Sequence, residues 1–325
     1  MKKRFLPILL CVSLVLMLSV TIVPGAAAKK LIIFAGGPAG GTFQIVGQAI
    51  ATYKPVKALN YNIKVQSSGG STENLRKVNS GKAHFGTVYS GHVFAGREGL
   101  MVNDSRKYTN VMAVSYLYEA PAQLVVLKGA GIKSVKDLVG KRVAVGPAGS
   151  GAFSYCEMFF THLGVWDKIE RNAISYNAGA DALSNNQVEA LWLFTAYPSS
   201  AVIQAATMNS IAMVDLDADA KKYGFYDKYK NFQPFTIPTS DGRYRGITED
   251  VNSWRDTTLL VANTKTPDDL VFDMLKAIYT PEGLKWMVAQ KKTFKAMALE
   301  KGLKGVATPL HPGAEKFWKE MGVLK

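Results

Sequence analysis

Short apolar runs that end in glycine or serine turns recur along this chain, and each is followed by a segment with helical spacing. The first run covers residues 31–35 and ends at a glycine-rich turn over residues 36–41. Thr42 then opens a segment in which Phe43 and Val46 share one face of a helix. The pattern predicts a buried strand, a loop, and a helix with Thr42 as its cap.

The same pattern recurs three times, so the sequence predicts four strand-to-helix turns, two in each half. The later strands are predicted over residues 61–66, 141–145 and 190–194, with helices capped by Ser71 and Ser150 or opened by Pro198. Further strands are predicted over residues 83–89, 122–127 and 254–262, and further helices over residues 133–138, 267–279 and 282–289.

Alternating strands and helices predict an α/β fold with mainly parallel sheets, and such sheets bind ligands beyond the carboxyl ends of their strands. We expect two lobes, each a sheet flanked by helices, joined by hinge strands near residues 122–127 and 234–245. The first lobe is predicted over residues 29–122 and 245–325, and the second over residues 123–244.

The amino terminus has the pattern of an export signal. Lys2 and Arg4 precede an apolar run over residues 5–23, and small residues up to Ala28 offer a cleavage site. We predict cleavage after Ala28 and a periplasmic location, and an uncleaved membrane anchor is the alternative. The remaining chain is long enough for two hydrophobic cores, since 48% of all 325 residues are hydrophobic.

Charge and cysteine content narrow the function classes. The net charge of +14 falls to about +11 without the signal segment, and the basic residues are spread along the chain without a nucleic-acid-binding motif. We therefore expect no nucleic-acid partner, while attraction of anionic solutes fits the charge. Cys156 is left without a partner for a disulfide and is predicted to be a buried structural thiol.

Known catalytic and cofactor motifs do not fit. The first turn lacks the glycine spacing of dinucleotide-binding loops, and Thr42 stands where a phosphate-binding loop requires lysine. Ser150 lies in a turn similar to a nucleophile elbow, but Ala148 replaces its first glycine. The four histidines and Cys156 have no metal-site spacing. No cofactor, metal or enzymatic activity is predicted.

Four motifs in order carry a family resemblance. They are the turns and helix starts at residues 36–43, 68–75 and 146–151 and a late Pro-Leu-His-Pro-Gly-Ala segment at residues 309–314. Together they resemble the TAXI family, the extracytoplasmic solute receptors of tripartite ATP-independent periplasmic (TRAP) transporters. The resemblance implies a two-lobed type II periplasmic-binding-protein fold that closes on a small solute and delivers it to a TRAP membrane permease driven by an ion gradient. We expect the receptor to be a monomer. An acidic metabolite, such as an amino acid or a keto or dicarboxylic acid, is the solute it suggests first.

The residues themselves agree with an anion site. Backbone N–H groups and hydroxyls at the helix starts of both lobes can surround a carboxylate, and tyrosines can form the walls. The predicted ligand-binding residues are Gly41, Thr42, Phe43, Gly70, Ser71, Asn74, Tyr89, Ser90, Tyr118, Ser150, Gly151, Ala152, Tyr197 and Pro198.

Two other functions stay open. A binding protein of this fold can serve an ABC permease or a membrane sensor instead of a TRAP permease. An exported serine hydrolase that uses Ser150 is the third hypothesis, and it requires a histidine base near that hydroxyl.

Overall fold

The structure is a computed structural model, and it describes residues 29–38, 41–102 and 104–325. The predicted signal segment, residues 1–28, lies outside the described part of the chain. The strands are β1 (Lys30–Ala35), β2 (Tyr61–Gln66), β3 (Phe85–Tyr89), β4 (Val111–Leu127), β5 (Arg142–Ala144), β6 (Glu170–Asn172), β7 (Ala190–Phe194), β8 (Ile211–Met213), β9 (Gln233–Ile237) and β10 (Val251–Asn263). The α-helices are α1 (Thr42–Thr52), α2 (Lys54–Ala58), α3 (Ser71–Asn79), α4 (Ser90–Glu98), α5 (Gly151–His162), α6 (Tyr176–Ser184), α7 (Ser200–Met208), α8 (Leu216–Lys222), α9 (Phe225–Lys228), α10 (Asp268–Ile278), α11 (Pro281–Gln290) and α12 (Pro312–Glu320).

The sheet confirms the predicted α/β fold class. Its strand order is β2-β1-β3-β10-β4-β7-β5-β6, with β8 beside β4 and β9 beside β10. Strands β1, β2 and β3 pair in parallel, and so do β5, β6 and β7. Because β4 and β10 run antiparallel between these two sets, they separate a first lobe built on β1–β3 from a second lobe built on β5–β7.

Strand β4 belongs to both lobes. It pairs with β10 from Val111 to Pro121 and with β7 from Ala122 to Val126. The predicted strand over residues 122–127 is therefore the second half of a strand of 17 residues. The change of partner falls beside the predicted hinge.

The second hinge differs from the sequence prediction. The strand predicted over residues 234–245 ends at Ile237, and a short 3₁₀ turn, Thr239–Asp241, follows it. The chain returns to the first lobe through β10, whose first residues pair with β9 and whose later residues pair with β4. Strand β10 is therefore longer than the apolar run at residues 254–262, because its first residues pair with β9.

One strand-to-helix unit was missed in the sequence. Strand β6 has only three residues, Glu-Arg-Asn, and they are exposed or half-buried, so no apolar run marks it. Ser175 follows and caps α6, because its hydroxyl accepts the N–H of Ala178. The second lobe therefore has three such turns at the carboxyl ends of its parallel strands, rather than two.

The core fills both faces of the sheet, and its largest cluster joins the lobes. Trp192, Trp254 and Phe159 are fully buried and pack with ring centroids 5.2–6.3 Å apart. Cys156 is a buried free thiol, as predicted, and burial raises its pKa. Among the described helices, none has the length and apolar character needed to span a bilayer.

Candidate functional site

A cavity lies where the carboxyl ends of the parallel strands of both lobes meet. Its volume is about 120 Å³. Helices α1 and α3 from the first lobe and α5, α6 and α7 from the second each contribute their first residues to its lining.

Five helix N-termini therefore converge on one small space. The first N–H groups of a helix have no partner within that helix, and the helix dipole makes this end positive. Four of these five helices have no acidic residue in the first turn. In α3, the Glu73 carboxylate accepts the Gly69 N–H and pairs with Lys77, both at 2.6 Å. The cavity is thus built to attract an anion.

The first-lobe wall is held in place by a buried asparagine. The side-chain amide of Asn74 donates to the carbonyls of Gly36 and Thr87, at 2.5 and 2.9 Å, and its oxygen accepts from Ser68 at 2.6 Å. Asn74 was predicted to bind ligand, but its polar atoms instead fasten the two turns that face the cavity. Just before α3, Gly70 has φ +110°, which side chains rarely allow.

The second-lobe wall approaches the first lobe closely at Gly151. A β-carbon placed on Gly151 would lie 2.6 Å from the Ser71 Cβ and 2.9 Å from a ring carbon of Tyr89. Only glycine permits this contact between the lobes. Before it, Ser150 caps α5 as predicted, since its hydroxyl oxygen accepts the Phe153 N–H at 3.0 Å.

Hydrogen bonds across the cleft hold the lobes together in this closed arrangement. The Tyr89 hydroxyl donates to the carbonyl of Phe194 at 2.7 Å, and the Thr72 hydroxyl donates to the carbonyl of Gly149. The rings of Phe43 and Phe194 meet the ring of Tyr89 edge-on, with centroids 5.0 and 4.9 Å away. Aromatic rings thus form much of the apolar lining.

A buried histidine lies behind the first wall. The Nδ1 of His92 is 2.9 Å from the Ser71 hydroxyl, and the same hydroxyl oxygen accepts the Tyr89 N–H. The direction of the hydrogen bond between Ser71 and His92 depends on the imidazole tautomer, and the other nitrogen of His92 lies 3.3 Å from the Ser154 hydroxyl. Burial lowers the pKa of His92 to about 3, so the imidazole is neutral at physiological pH.

Lys291 brings a positive side chain to the cavity from a segment far along the chain. It follows α11, which packs on α1 through a hydrogen bond from the Trp286 indole to the carbonyl of Ala49 at 2.9 Å. The Lys291 Nζ lies 3.4 Å from the carbonyl of Pro198 in the second lobe. Partial burial lowers its pKa, and it is the charged side chain among the described lining residues.

Ser199 lines the cavity with an unused hydroxyl. It is the residue before α7, but its side chain makes no capping bond, and its exposed fraction is 6%. Its N–H donates to the Tyr244 hydroxyl, which donates in turn to Gln123 on β4, both at 2.8 Å. Within the described residues, the Ser199 hydroxyl has no hydrogen-bond partner, which leaves it available to a bound solute.

Comparison with known sequences and structures identifies the family. The sequence profile of the NMT1-like family matches residues 34–322. The chain belongs to the NMT1-like family. MatC from Rhodopseudomonas palustris, solved with bound malate, is similar in structure: 15% identity, a TM-score of 0.51, and coverage of 90% of this chain and 97% of MatC. The periplasmic binding protein BugD gives 16% identity, a TM-score of 0.51, and coverage of 91% and 99%. These likenesses give the NMT1-like protein the fold of a periplasmic binding protein.

Nine of the predicted ligand-binding residues line the cavity of this NMT1-like protein. They are Gly41, Thr42, Phe43, Gly70, Ser71, Tyr89, Ser150, Gly151 and Ala152. Thr42 and Ser71, expected to cap helices, are instead the first helical residues after Gly41 and Gly70. Other residues that line the cavity were not predicted from the sequence. They include Ser175, Tyr176, Asn177, Ser199, Ser200 and Lys291.

The other five predicted residues lie outside the lining. Asn74 fastens turns, and the Ser90 hydroxyl donates to the carbonyl of Gly305 at 2.5 Å. The Tyr118 hydroxyl is buried near the hydroxyls of Thr42 and Thr258, although neither contact has hydrogen-bond geometry.

Tyr197 and Pro198 also lie outside the cavity lining. The Tyr197 hydroxyl bonds to the Asp241 carboxylate. Pro198, predicted in the first turn of α7, precedes the capping position at Ser199 and follows a cis peptide bond.

Substitution of Ser150 and of Ser199 should distinguish a hydroxyl that caps a helix from one that is available to ligand. We expect Ser150→Ala to lower the free energy of unfolding by about 1 kcal/mol, because it removes a helix cap. Ser199→Ala should change it by less than about 0.5 kcal/mol, since no bond within the described protein is lost. Urea unfolding without solute measures both values, and an equal loss in the two variants would contradict the assignment.

The raised pKa of the buried Asp256 carboxyl leads us to predict that the free energy of unfolding depends on pH. The Asp256 carboxylate accepts from Tyr155 at 2.5 Å, from the Gly91 N–H at 2.9 Å and from the Thr257 N–H at 2.6 Å, yet burial raises its pKa to about 6. In the unfolded chain the pKa is about 3.9, so this group makes folding less favourable as pH rises from about 4 to 6.

The variant Asp256→Asn should remove that dependence. From pH 4 to pH 7 the stability of the variant relative to the native chain should rise by about 2 to 3 kcal/mol, because about two pKa units are lost at 1.36 kcal/mol each. Urea unfolding at pH 4, 5 and 7 measures this difference. Parallel stability profiles for the two proteins would show that Asp256 does not titrate with a raised pKa.

Proposed function

We propose that this NMT1-like protein is an extracytoplasmic solute receptor that closes on a small organic anion and delivers it to a membrane permease. The observation that carries the proposal is the meeting of five helix N-termini and Lys291 in one cavity between two lobes. Helix N-termini bind anions through N–H groups and the dipole, and a buried ammonium adds a full charge.

The lining supports a carboxylate with a short carbon skeleton. Hydroxyls of Ser150 and Ser199 lie beside the helix N-termini and can donate to carboxylate oxygens. The rings of Phe43, Tyr89 and Phe194 can pack on the carbon atoms. A dicarboxylic acid of four or five carbons has eight to ten heavy atoms, which is a suitable size for a cavity of about 120 Å³. The malate bound in MatC, a protein of similar fold, falls within this size class.

Closure couples binding to delivery. Residues 29–122 and 245–325 are proposed as one lobe and residues 123–244 as the other, with β4 and the segment before β10 as hinges. A solute that contacts both lobes stabilises the closed form over the open one by its differential affinity. A permease that recognises the closed form then receives only loaded receptors.

The motif order favours a TRAP permease as the partner, since the four motifs resemble the TAXI family. We propose a monomeric receptor that is exported to the periplasm and cleaved after Ala28. An ABC permease is the alternative partner, because the NMT1-like family profile does not specify the transporter type. Transport assays with each class of permease in cells that lack their own uptake system separate the two.

The Ser150 hydrolase hypothesis has less support from the geometry. The Ser150 oxygen accepts a backbone N–H as a cap, and His92 bonds to Ser71 and Ser154 instead. The other histidines, His84, His162 and His311, bond to backbone groups elsewhere. Consumption of a solute during a binding experiment would favour the hydrolase.

Thermal unfolding with a solute panel tests the proposal. We expect short dicarboxylic, hydroxy and keto acids to raise the Tm, because a ligand present at a hundred times its Kd adds about 2.7 kcal/mol to stability. The protein should first be unfolded, dialysed and refolded so that any bound solute is removed. Neutral diamides of the same acids serve as matched controls. A panel in which no acid raises the Tm, or in which the diamides raise it equally, would contradict an anion receptor.

A further inference from the structure

Lys291 is the point where charge, closure and the solute cavity coincide. The first lobe carries this side chain, since α11 packs on α1, and its Nζ lies 3.4 Å from the carbonyl of Pro198 in the second lobe. That distance is too long for a strong hydrogen bond, so the ammonium keeps capacity for another acceptor. The side chain is half-buried at the cavity rim. A negatively charged solute would supply the missing acceptor.

The cavity disfavours cations for the same reason that it attracts anions. Five helix N-termini and the Lys291 ammonium face it, while no lining residue in the described ranges is Asp or Glu. The Glu73 carboxylate bonds to the N–H of the lining residue Gly69, and it is paired with Lys77. The residues outside those ranges, 1–28, Ala39, Gly40 and Asn103, include neither acid. An ammonium group buried there would have no counter-charge and would lie in a positive field.

Two backbone carbonyls at or beside the cavity already accept hydrogen bonds from the protein. The carbonyl of Phe194 accepts from the hydroxyls of Tyr89 and Tyr176, at 2.7 and 2.9 Å. The carbonyl of Gly149, just before the lining residue Ser150, accepts from Thr72 across the cleft. An α-ammonium group would therefore meet uncharged acceptors such as the Ser199 hydroxyl, but no carboxylate among the described lining residues.

We propose that the cavity selects small organic acids without a free ammonium group, and that Lys291 is the residue that determines this specificity. The inference rests on the proposed function and narrows its solute class from anionic metabolites in general to hydroxy, keto and dicarboxylic acids. The Lys291 ammonium belongs to the first lobe and lies against the second lobe, where it neutralises the carboxylate of the solute. Binding of the carboxylate to Lys291 therefore stabilises the closed form. It rejects amino acids of the same length by charge repulsion.

Matched pairs of acids test the selectivity by titration calorimetry. Succinate and L-malate are compared with L-aspartate, and 2-oxoglutarate is compared with L-glutamate, so each pair differs at the amino-bearing carbon. We expect each amino acid to bind at least about ten-fold more weakly than its partner, since its ammonium group would lie near positive helix ends and Lys291 without a carboxylate as counter-charge. Equal affinity within both pairs would overturn the selectivity.

Variants test the role of Lys291 with the tightest acid of that panel. Lys291→Met keeps most of the side-chain length and removes the charge, and we expect its Kd to rise about ten- to hundred-fold. Lys291→Arg should stay within a few-fold of the native protein. The adjacent, exposed Lys292 provides the matched control, because Lys292→Met removes the same charge away from the lining. Circular dichroism and the Tm of each free variant show whether it is folded.

The outcomes separate this inference from the proposed function. If acids bind but Lys291→Met and Lys292→Met have equal affinities, Lys291 does not determine specificity and the receptor function stands. If Lys291→Met is unfolded, the Lys291→Arg variant and the acid pairs decide: equal binding of amino acids refutes the proposal. If no acid in the panel binds the native protein, the proposed function and this inference both fail.

Discussion

Strand β4 is the constraint on which the rest of this molecule depends. It forms hydrogen bonds with β10 over its first half and with β7 over its second half, so one continuous backbone fixes both parallel sheets. Gln123 on this strand accepts from Tyr244, which holds the residue before α7 through a second hydrogen bond. The position of the Ser199 hydroxyl in the cavity is thereby tied to the central strand, not to a free loop. Small changes at the centre of the sheet would move the cavity wall directly.

The polar groups at the cavity differ in whether they already make strong hydrogen bonds within the described protein. Ser71, Thr72 and Tyr89 use their hydroxyls within the protein, where they join turns or lobes. Ser199 and the Lys291 ammonium have unmet or weak interactions, and both face the cavity. Since unmet polar groups are costly once buried, they are the groups whose energy improves most when a solute binds. Under the proposed function, these are the groups expected to determine specificity.

The sequence predicted those parts of the site that local pattern determines. Apolar runs followed by glycine turns marked β1 and β5, and an apolar run followed by Thr195 and Pro198 marked β7. The spacing after Ser150 marked α5 with its cap. Strand β6 was missed because its three residues are polar and its strand character comes only from pairing with β5. The serine at its end, in a capping position before helical spacing, was the signal that could have revealed α6.

Lys291 could not be found by motif, because its place in the cavity arises from packing between distant segments. Trp286 joins α11 to α1 over 237 residues of sequence separation, and that contact brings the following lysine to the rim. Conversely, Asn74 and Tyr118 looked like ligand groups because they are polar or aromatic near a predicted turn. The Asn74 side chain instead bonds to that turn and its neighbours, and Tyr118 is buried in β4 outside the cavity lining.

The energetics of closure set limits on the solute. Each hydrogen bond across the cleft contributes only about 0.5 to 1.5 kcal/mol net, because both partners bond to water when the lobes separate. Against this, Asp256 remains buried beneath the interface with a carboxyl pKa raised to about 6, which opposes the packed state at neutral pH. A solute anion that satisfies Lys291 and several helix N–H groups adds a contribution available only when both lobes meet, and that difference in affinity is what shifts the population.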